Sequence, residues 1–226
     1  MHMGFIYDII FSGDYTVQCK IGTVVKLPSE HCGGLQRLER GGIMELLAVF
    51  DEKNYSDTTT VLERYAVRGI IRRSVKTQRD NMQVALQDFY IAMQHGKNGE
   101  YKIPGGGQEP GETYLDTLAR EVREETGLHI RPECIRELGE ILELRQDIFD
   151  PARKYICHSL FYYCEVEEGQ DELQLTASET EQGYELKWVT PEEICRCNFE
   201  LQLEPWMVRD TAFIKMLADR TVVLPD

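Results

Sequence analysis

The sequence predicts an α/β protein with a mixed β-sheet that is covered by helices on both sides. Three observations predict this class. Apolar segments of strand length recur along the chain, an amphipathic helix follows a glycine-rich loop near its middle, and a capping box opens another helix near its C-terminus. Strands and helices in this order are typical of a sheet that buries its faces under helices.

The predicted strands are short stretches of apolar or alternating residues. They cover residues 44–51, 63–72, 88–95, 139–146, 154–166 and 184–189. The fifth of these is rich in Tyr, Phe, Ile and Leu, which is typical of a central strand. A further short strand is expected at 128–130. The polar stretch at 74–87 and the acidic stretch at 167–181 predict connections between elements.

Three helices are predicted, the first two from the signals at their ends. The first covers 113–126, because Thr113 is an acceptable N-cap and Gly127 is a natural residue after the last turn. The second begins at the capping box Thr190-Pro191-Glu192-Glu193, which has proline at the first helical position. The third covers 205–220, with a predicted buried side formed by Trp206, Ala212, Phe213, Met216 and Leu217.

The first helix is expected to have separate faces for the core and for chemistry. The predicted core stripe follows the i, i+3, i+4, i+7 spacing and consists of Leu115, Leu118, Ala119 and Val122. At about 100° per residue, Glu121, Glu124 and Glu125 gather on another side of the helix. We therefore expect one face of the helix to pack against the core and the acidic face to carry the chemistry.

Three carboxylates at the end of one helix require a cation. They repel each other, and the helix dipole is already negative there. Arg120 neutralises only part of this charge. Mg²⁺ suits the remainder, because it binds a few carboxylates together with waters and substrate phosphates. Just upstream, Gly105, Gly106 and Gly107 let the backbone approach a ligand or metal closely.

These residues also resemble the motif of a known family. Gly106 is followed after five residues by Glu112, and after seven more by the run Arg120-Glu121-Val122-Arg123-Glu124-Glu125-Thr126-Gly127-Leu128. This is a complete match to the box of the Nudix hydrolases. The resemblance implies a Nudix-type α/β/α sandwich with a mixed sheet, and we assign residues 44–226 to this domain.

The resemblance implies a hydrolase acting on phosphoric anhydrides, a pyrophosphohydrolase that cleaves a nucleoside diphosphate linked to another group. The implied cofactor is Mg²⁺ (or Mn²⁺), coordinated by the Gly105 carbonyl, Glu121, Glu124 and Glu125. Arg120 would hold the glutamates in place, and Glu112 would support the box.

The sequence leaves more than one candidate for the general base and for the residues that contact the substrate phosphates. The base is either a box glutamate or a later acid, for which Glu179 and Glu181 are the candidates, although ordinary solvated charge explains both equally well. Substrate phosphates are expected near the Gly106 and Gly107 backbone. Lys102 and Arg68 are candidate phosphate ligands, but a basic residue on a strand is more often a surface residue.

The substrate is left open by the sequence. Residues 143–145 read Glu-Leu-Arg, which matches neither the ADP-ribose pyrophosphatases nor the dinucleoside polyphosphate hydrolases. The default expectation is a nucleoside triphosphate, including oxidised purine nucleotides, and the alternative substrate is ADP-ribose or another nucleotide sugar. A non-catalytic Nudix-fold module that binds a nucleotide or regulates is the alternative function.

Composition restricts the partners and the compartment. With 42% hydrophobic and 28% charged residues, the 226-residue chain has a globular composition, and it contains no apolar run of about 20 residues that would span a membrane. A net charge of -14 disfavours DNA or RNA as a partner. Seven cysteines without a CxxC pair indicate reduced thiols and a cytoplasmic protein. Many relatives are dimers, so the resemblance suggests a homodimer.

Residues 1–43 are predicted to be an N-terminal extension. They show no clear amphipathic period. Arg40-Gly41-Gly42 can be encoded by a purine-rich run of the kind that binds a bacterial ribosome shortly before a start codon. We therefore hypothesise that translation begins at Met44. The alternative is a genuine N-terminal hairpin that packs on the domain.

Overall fold

A computed structural model describes residues 10–12, 16–18, 44–74, 89–201 and 204–225. The chain forms two compact units, Met1–Ala66 with Glu137–Phe161 and Val67–Arg136 with Tyr162–Asp226. Most of the N-terminal extension and of the polar stretch at 74–87 lies outside the described residues. Within the extension, β1 (Ile10–Ser12) and β2 (Thr16–Gln18) form an antiparallel pair.

Most of the remaining elements follow the predicted order. The strands are β3 (Leu46–Asp51), β4 (Thr60–Ser74), β5 (Phe89–His95), β6 (Tyr101–Lys102), β7 (Arg136–Gln146), β8 (Arg153–Cys164) and β9 (Glu185–Val189). The α-helices are α1 (Tyr114–Thr126), α2 (Ala177–Gln182), α3 (Pro191–Glu200) and α4 (Pro205–Ala218), and Pro132–Cys134 forms a 3-10 turn. Of these, β6, α2 and the 3-10 turn were not predicted. Both β4 and β8 begin in the first unit and end in the second.

The first unit contains the order β3-β7-β8-β4. Strand β3 runs parallel to β7, and Val49 lies opposite Leu142. The core of this unit includes Ala48, Ile141, Cys157 and Phe161, each at most 1% exposed.

Strand β5 organises the second unit. It pairs antiparallel with β4 through its first residues, with β6 through its last residues, and with β9 along residues 91–95. Helix α1 packs against β5 and β9, while α3 and α4 pack against each other and against β6. The largest fully buried side chains of this unit include Ile70, Met93, Ile103, Leu118 and Phe213.

Parallel and antiparallel pairs occur together with helices, so the predicted α/β class with a mixed sheet is confirmed. The predicted burial of Ala212, Phe213 and Leu217 is also confirmed, whereas Trp206 and Met216 are only half-buried. Within the described ranges, no helix is both long enough and apolar enough to cross a membrane.

Two expectations for connecting segments were wrong. The strand expected at 128–130 is reduced to one bridge between Ile130 and Val166. The acidic connection at 167–181 contains α2, because Thr176 and Glu179 form a capping box and Gly183 ends the helix in a left-handed conformation (φ 67). Local capping therefore overrides the polar composition of this segment.

Candidate functional site

Helix α1 begins and ends where the sequence predicts. Thr113 accepts from the Asp116 amide, and the Asp116 side chain accepts from the Thr113 amide, which completes a capping box. At the other end, Gly127 adopts φ 71, and its amide donates to the Arg123 carbonyl. These caps fix both ends of the helix that carries the glutamates.

The buried face of α1 differs from the predicted stripe. Leu115 is 45% exposed and Ala119 is exposed, whereas the buried residues are Thr117, Leu118, Val122, Glu125 and Thr126. The helix turns this face toward β4, where a Cβ on Gly69 would stand 2.7 Å from Val122 Cγ2. The expected separation between packing and acidic faces is therefore wrong for Glu125, which lies in the packed face.

The glycine loop, residues 104–107, runs beside β4. The Val67 amide donates to the Gly106 carbonyl at 2.9 Å, and the Gly69 amide donates to the Pro104 carbonyl at 2.8 Å. Gly105 has φ +141, and a Cβ there would stand 2.1 Å from the Val67 carbonyl oxygen. Only glycine fits this close approach of the loop to the strand.

Arg120 gathers three box glutamates. Its Nε donates to Glu112 Oε1 at 2.7 Å, and its Nη1 lies 2.8 Å from Glu121 Oε1 and 3.3 Å from Glu124 Oε2. The hydrogen bonds from Arg120 and then from Thr117 lower the pKa of Glu112 to about 2. One guanidinium thus holds Glu121 and Glu124 near the same nitrogen, although they lie on successive turns.

Glu125 is buried, with 3% of its surface exposed. Its Oε2 accepts from the Gly105 amide at 2.6 Å, and its Oε1 accepts from Lys102 Nζ at 2.7 Å. Burial nevertheless raises the pKa of Glu125 to about 7, against the opposing effect of Lys102. Through its hydrogen bond with the Gly105 amide, Glu125 links α1 directly to the glycine loop.

The two later acids lie in different surroundings. Glu179 accepts from the Thr176 amide and hydroxyl at 2.9 and 2.8 Å, and its Oε1 is 3.5 Å from Lys102 Nζ. Burial acts to raise the pKa of Glu179, but the Thr176 hydrogen bonds and the Lys102 charge prevail and lower it. Glu181 is exposed on the last turn of α2, where its backbone carbonyl accepts from Lys97 Nζ. The structure brings Glu179 to Lys102 and Glu125, and it places the predicted Glu181 on the surface.

The predicted phosphate ligands are also separated. Lys102 lies between Glu125 and Glu179, and its Nζ is 5.7 Å from the centre of the Tyr184 ring. Arg68 is 6% exposed, and its Nε lies 3.6 Å from Asp210 Oδ1. Only Lys102 of these two directs its charge toward the box glutamates.

The donor set suits a hard divalent cation. Carboxylate and carbonyl oxygens are the ligands that Mg²⁺ prefers. Gly106 leaves the necessary room, because a Cβ there would stand 2.2 Å from Glu121 Oε1. Within the described residues, no three His, Cys, Asp or Glu side chains form a ready cluster. The carboxylates are instead turned to Arg120, Lys102 and the Gly105 amide, so a cation would have to replace part of these contacts.

A cavity of about 400 Å³ borders the outer side of the site. Its lining includes Arg120 and Glu124 from α1 together with His129, Glu167 and Gln174. The Gln174 amide donates to the Glu124 carbonyl at 2.8 Å. The segment after β8 therefore closes the last turn of α1 by binding a backbone carbonyl that the helix leaves free.

Comparison with known proteins found a matching family model and several relatives. The NUDIX domain model matches residues 68–212. Human 8-oxo-dGDP phosphatase NUDT18 is 42% identical over 57 residues, which are 24% of this chain and only 18% of that relative.

Two solved structures are similar at low identity. The solution structure of the E. coli ORF135 protein is 22% identical, covers 70% of this chain and 93% of its own, and has a TM-score of 0.42. The NUDIX domain of Shewanella oneidensis NrtR complexed with ADP ribose is 14% identical, with coverages of 71% and 89% and a TM-score of 0.46. These likenesses carry no argument about the substrate. The family model, however, spans more than half of the chain, and the protein therefore belongs to the NUDIX family.

Proposed function

We propose that this protein is a divalent-metal-dependent hydrolase that cleaves a pyrophosphate linkage in a nucleoside diphosphate derivative. The observation that carries the proposal is the gathering of Glu121 and Glu124 at one nitrogen of Arg120, beside a loop that Glu125 binds. An ordinary solvated helix has no reason to hold three acids against a glycine loop.

The proposed metal ligands are the Gly105 carbonyl, Glu121, Glu124 and Glu125. Bound there, Mg²⁺ or Mn²⁺ supplies charge neutralisation for the pyrophosphate and polarises the bond to be cleaved. Arg120 keeps two of the carboxylates together. Gly106 and Gly107 are half-buried, and their backbone is proposed to contact the substrate.

Glu179 is the proposed general base in place of Glu181. It lies next to Glu125 and Lys102, and its lowered pKa keeps the carboxylate ionised at neutral pH. A Glu179 carboxylate oxygen would accept the proton of the attacking water. Lys102 Nζ would hold the base in position and contact a phosphate oxygen.

Oxidised purine nucleotides are the substrates to test first. The human relative is named an 8-oxo-dGDP phosphatase, and the aligned stretch is 42% identical. Because that stretch covers only 18% of the relative, ordinary nucleoside triphosphates and ADP-ribose belong in the same panel. We also propose a cytoplasmic protein without a nucleic-acid partner, and a homodimer stays a prediction.

The test is product formation from 8-oxo-dGDP, 8-oxo-dGTP, dGTP and ADP-ribose with Mg²⁺. The first three would release phosphate or pyrophosphate, and ADP-ribose would yield AMP and ribose 5-phosphate. We expect Glu124→Gln to lower turnover by about 100-fold or more, because it removes a proposed ligand. Glu168→Gln, which changes an exposed glutamate, is the matched control and should retain full turnover. If the wild type binds a nucleotide of this panel but turns over none, the protein is a binding module and the proposal fails.

A further inference from the structure

Side chains from two helices take the place of a neighbouring strand along the outer edge of β6. The Tyr101 amide donates to Asn198 Oδ1 at 2.9 Å, and the Tyr101 carbonyl accepts from Asn198 Nδ2 at 3.0 Å. Two residues later, the Ile103 amide donates to Asp210 Oδ2 at 3.2 Å. Alternate residues of a strand direct their backbone groups to the same edge, so Asn198 and Asp210 satisfy the edge that faces away from β5.

Asp210 is a fully buried carboxylate between two arginines. It is 0% exposed, and Arg68 and Arg209 are 6% and 4% exposed. Arg209 Nε donates to Asp210 Oδ1 at 2.9 Å, and Arg68 Nε lies 3.6 Å from the same oxygen. A buried charge is retained only where partners compensate its lost hydration, and the two guanidinium groups provide this compensation.

The partners of Asp210 lie on both sides of the glycine loop. Ile103 directly precedes Pro104. Arg68 stands in β4 between Val67 and Gly69, whose amides bind loop carbonyls. A Cβ on Gly105 would stand 3.0 Å from Arg68 Cα, which shows how closely the loop follows this part of the strand. One carboxylate of α4 is thus connected to both segments that frame Gly105.

We propose that Asp210 is a positioning residue for the glycine loop, which it fixes by accepting from Ile103 and pairing with Arg68. The inference rests on the proposed function, because the loop contains a proposed metal ligand, Gly105. Asp210 does not contact the substrate. It sets the place of the Gly105 carbonyl relative to the carboxylate of Glu125.

Two measurements separate positioning from ordinary stability. Asp210→Asn keeps the shape of the side chain and removes its charge. Ile214→Ala is the matched control, because Ile214 is also fully buried on α4 but has an apolar side chain that makes no hydrogen bond or ion pair. The first measurement is hydrogen–deuterium exchange of residues 101–107 in the full chain without metal. The second is Mn²⁺ binding, followed by electron paramagnetic resonance in the absence of nucleotide.

We expect Asp210→Asn to accelerate exchange in residues 101–107 and to weaken Mn²⁺ binding by about tenfold, since supporting residues typically affect metal affinity to this extent. Ile214→Ala should leave both unchanged relative to the wild type, although it lowers thermal stability. Equal exchange and equal Mn²⁺ affinity in the two variants would overturn the proposal.

Asp210→Glu covers the case in which Asp210→Asn does not fold. It retains the charge between the arginines and displaces the carboxylate by one methylene, so the same increase in exchange is expected. Failure of the role proposed for Asp210 can be distinguished from failure of the proposed function. A wild type that hydrolyses no nucleotide contradicts the function, whereas the exchange of residues 101–107 reports on Asp210 without any turnover.

Discussion

Gly106 and Glu121 approach so closely that a Cβ on the glycine would stand 2.2 Å from Oε1 and 2.4 Å from Cδ of the glutamate. The backbone of Gly106 does not have a positive φ, so glycine matters here for space and not for conformation: a methyl group would displace the Glu121 carboxylate. Because Gly106 has no side chain, the loop leaves room for the carboxylate of Glu121, a proposed metal ligand.

Gly106→Ala is expected to displace the Glu121 carboxylate and to weaken Mn²⁺ binding by about tenfold or more, because ligand misplacement of this size is costly. The measurement is titration of Mn²⁺ by calorimetry. Gly96→Ala is the matched control, since its Cβ would also stand 2.2 Å from a glutamate oxygen, that of Glu100. A similar loss of Mn²⁺ affinity in both variants would contradict the role of Gly106.

Arg120→Ala is expected to cost about 1.5–3 kcal/mol of unfolding free energy, because Arg120 makes charge-assisted hydrogen bonds to three glutamates. Arg123→Ala on the same helix should cost about 0–1 kcal/mol, because Arg123 is 51% exposed and pairs with the exposed Asp171. Urea denaturation measures both. Equal costs would show that Arg120 does not hold the glutamates together.

Thr176→Ala tests whether α2 holds Glu179 in place. Thr176 and Thr190 each cap a helix by accepting from an amide at 3.3 Å, that of Glu179 and of Glu193 respectively. Both alanine variants should lose about 1 kcal/mol of stability. Only Thr176→Ala should lower turnover, by roughly tenfold, because general-base catalysis needs a positioned carboxylate. Unchanged turnover in Thr176→Ala would argue against Glu179 as the base.

His158 should make the stability of the protein depend on pH. Its Nδ1 lies 2.6 Å from Glu140 Oε1, its Nε2 lies 3.0 Å from Glu63 Oε1, and its ring stacks on Tyr65. Burial alone would lower the pKa of His158, but the hydrogen bonds and charges of Glu140 and Glu63 outweigh it and raise the pKa. Folding therefore favours the imidazolium.

The stabilisation is fully present below the unfolded pKa of histidine and is lost as pH rises through the folded pKa. His158→Gln should thus cost more unfolding free energy at about pH 5.5 than at about pH 8.5, by a few tenths to about 1 kcal/mol. Glu140→Gln should weaken the same pH dependence. A cost of His158→Gln that is independent of pH would show that the imidazolium is not favoured.

The sequence predicted those features that depend on local signals. The caps of α1 at Thr113 and Gly127, and the Thr190 cap that opens α3, are where the residue types require them. The box residues could be named because their spacing is fixed within one helix and one loop. The capping box of Thr176 and Glu179 carried an equally local signal, which the acidic composition of the segment obscured.

The features that were missed depend on contacts between distant segments. The helical pattern could not show that Leu115 would be exposed and Glu125 buried, because contacts with β4, β5 and β9 determine which face of α1 is covered. Asp210 gave a weak signal only, as an acid within the mainly apolar stretch 207–214. Its partners, Ile103 and Arg68, are more than 100 residues away in sequence, so their meeting follows from the fold alone.

The contact between Gly69 and Val122 determines how a substitution in β4 would affect α1. Val122 rests where a methyl group on this glycine would have to stand, and Leu118 lies 3.5 Å from the same point. A larger residue at position 69 is therefore expected to displace Val122, and with it the part of α1 that carries Glu121 and Glu124. Because the side chain of Gly69 is only a hydrogen atom, α1 and its glutamates can lie close to β4.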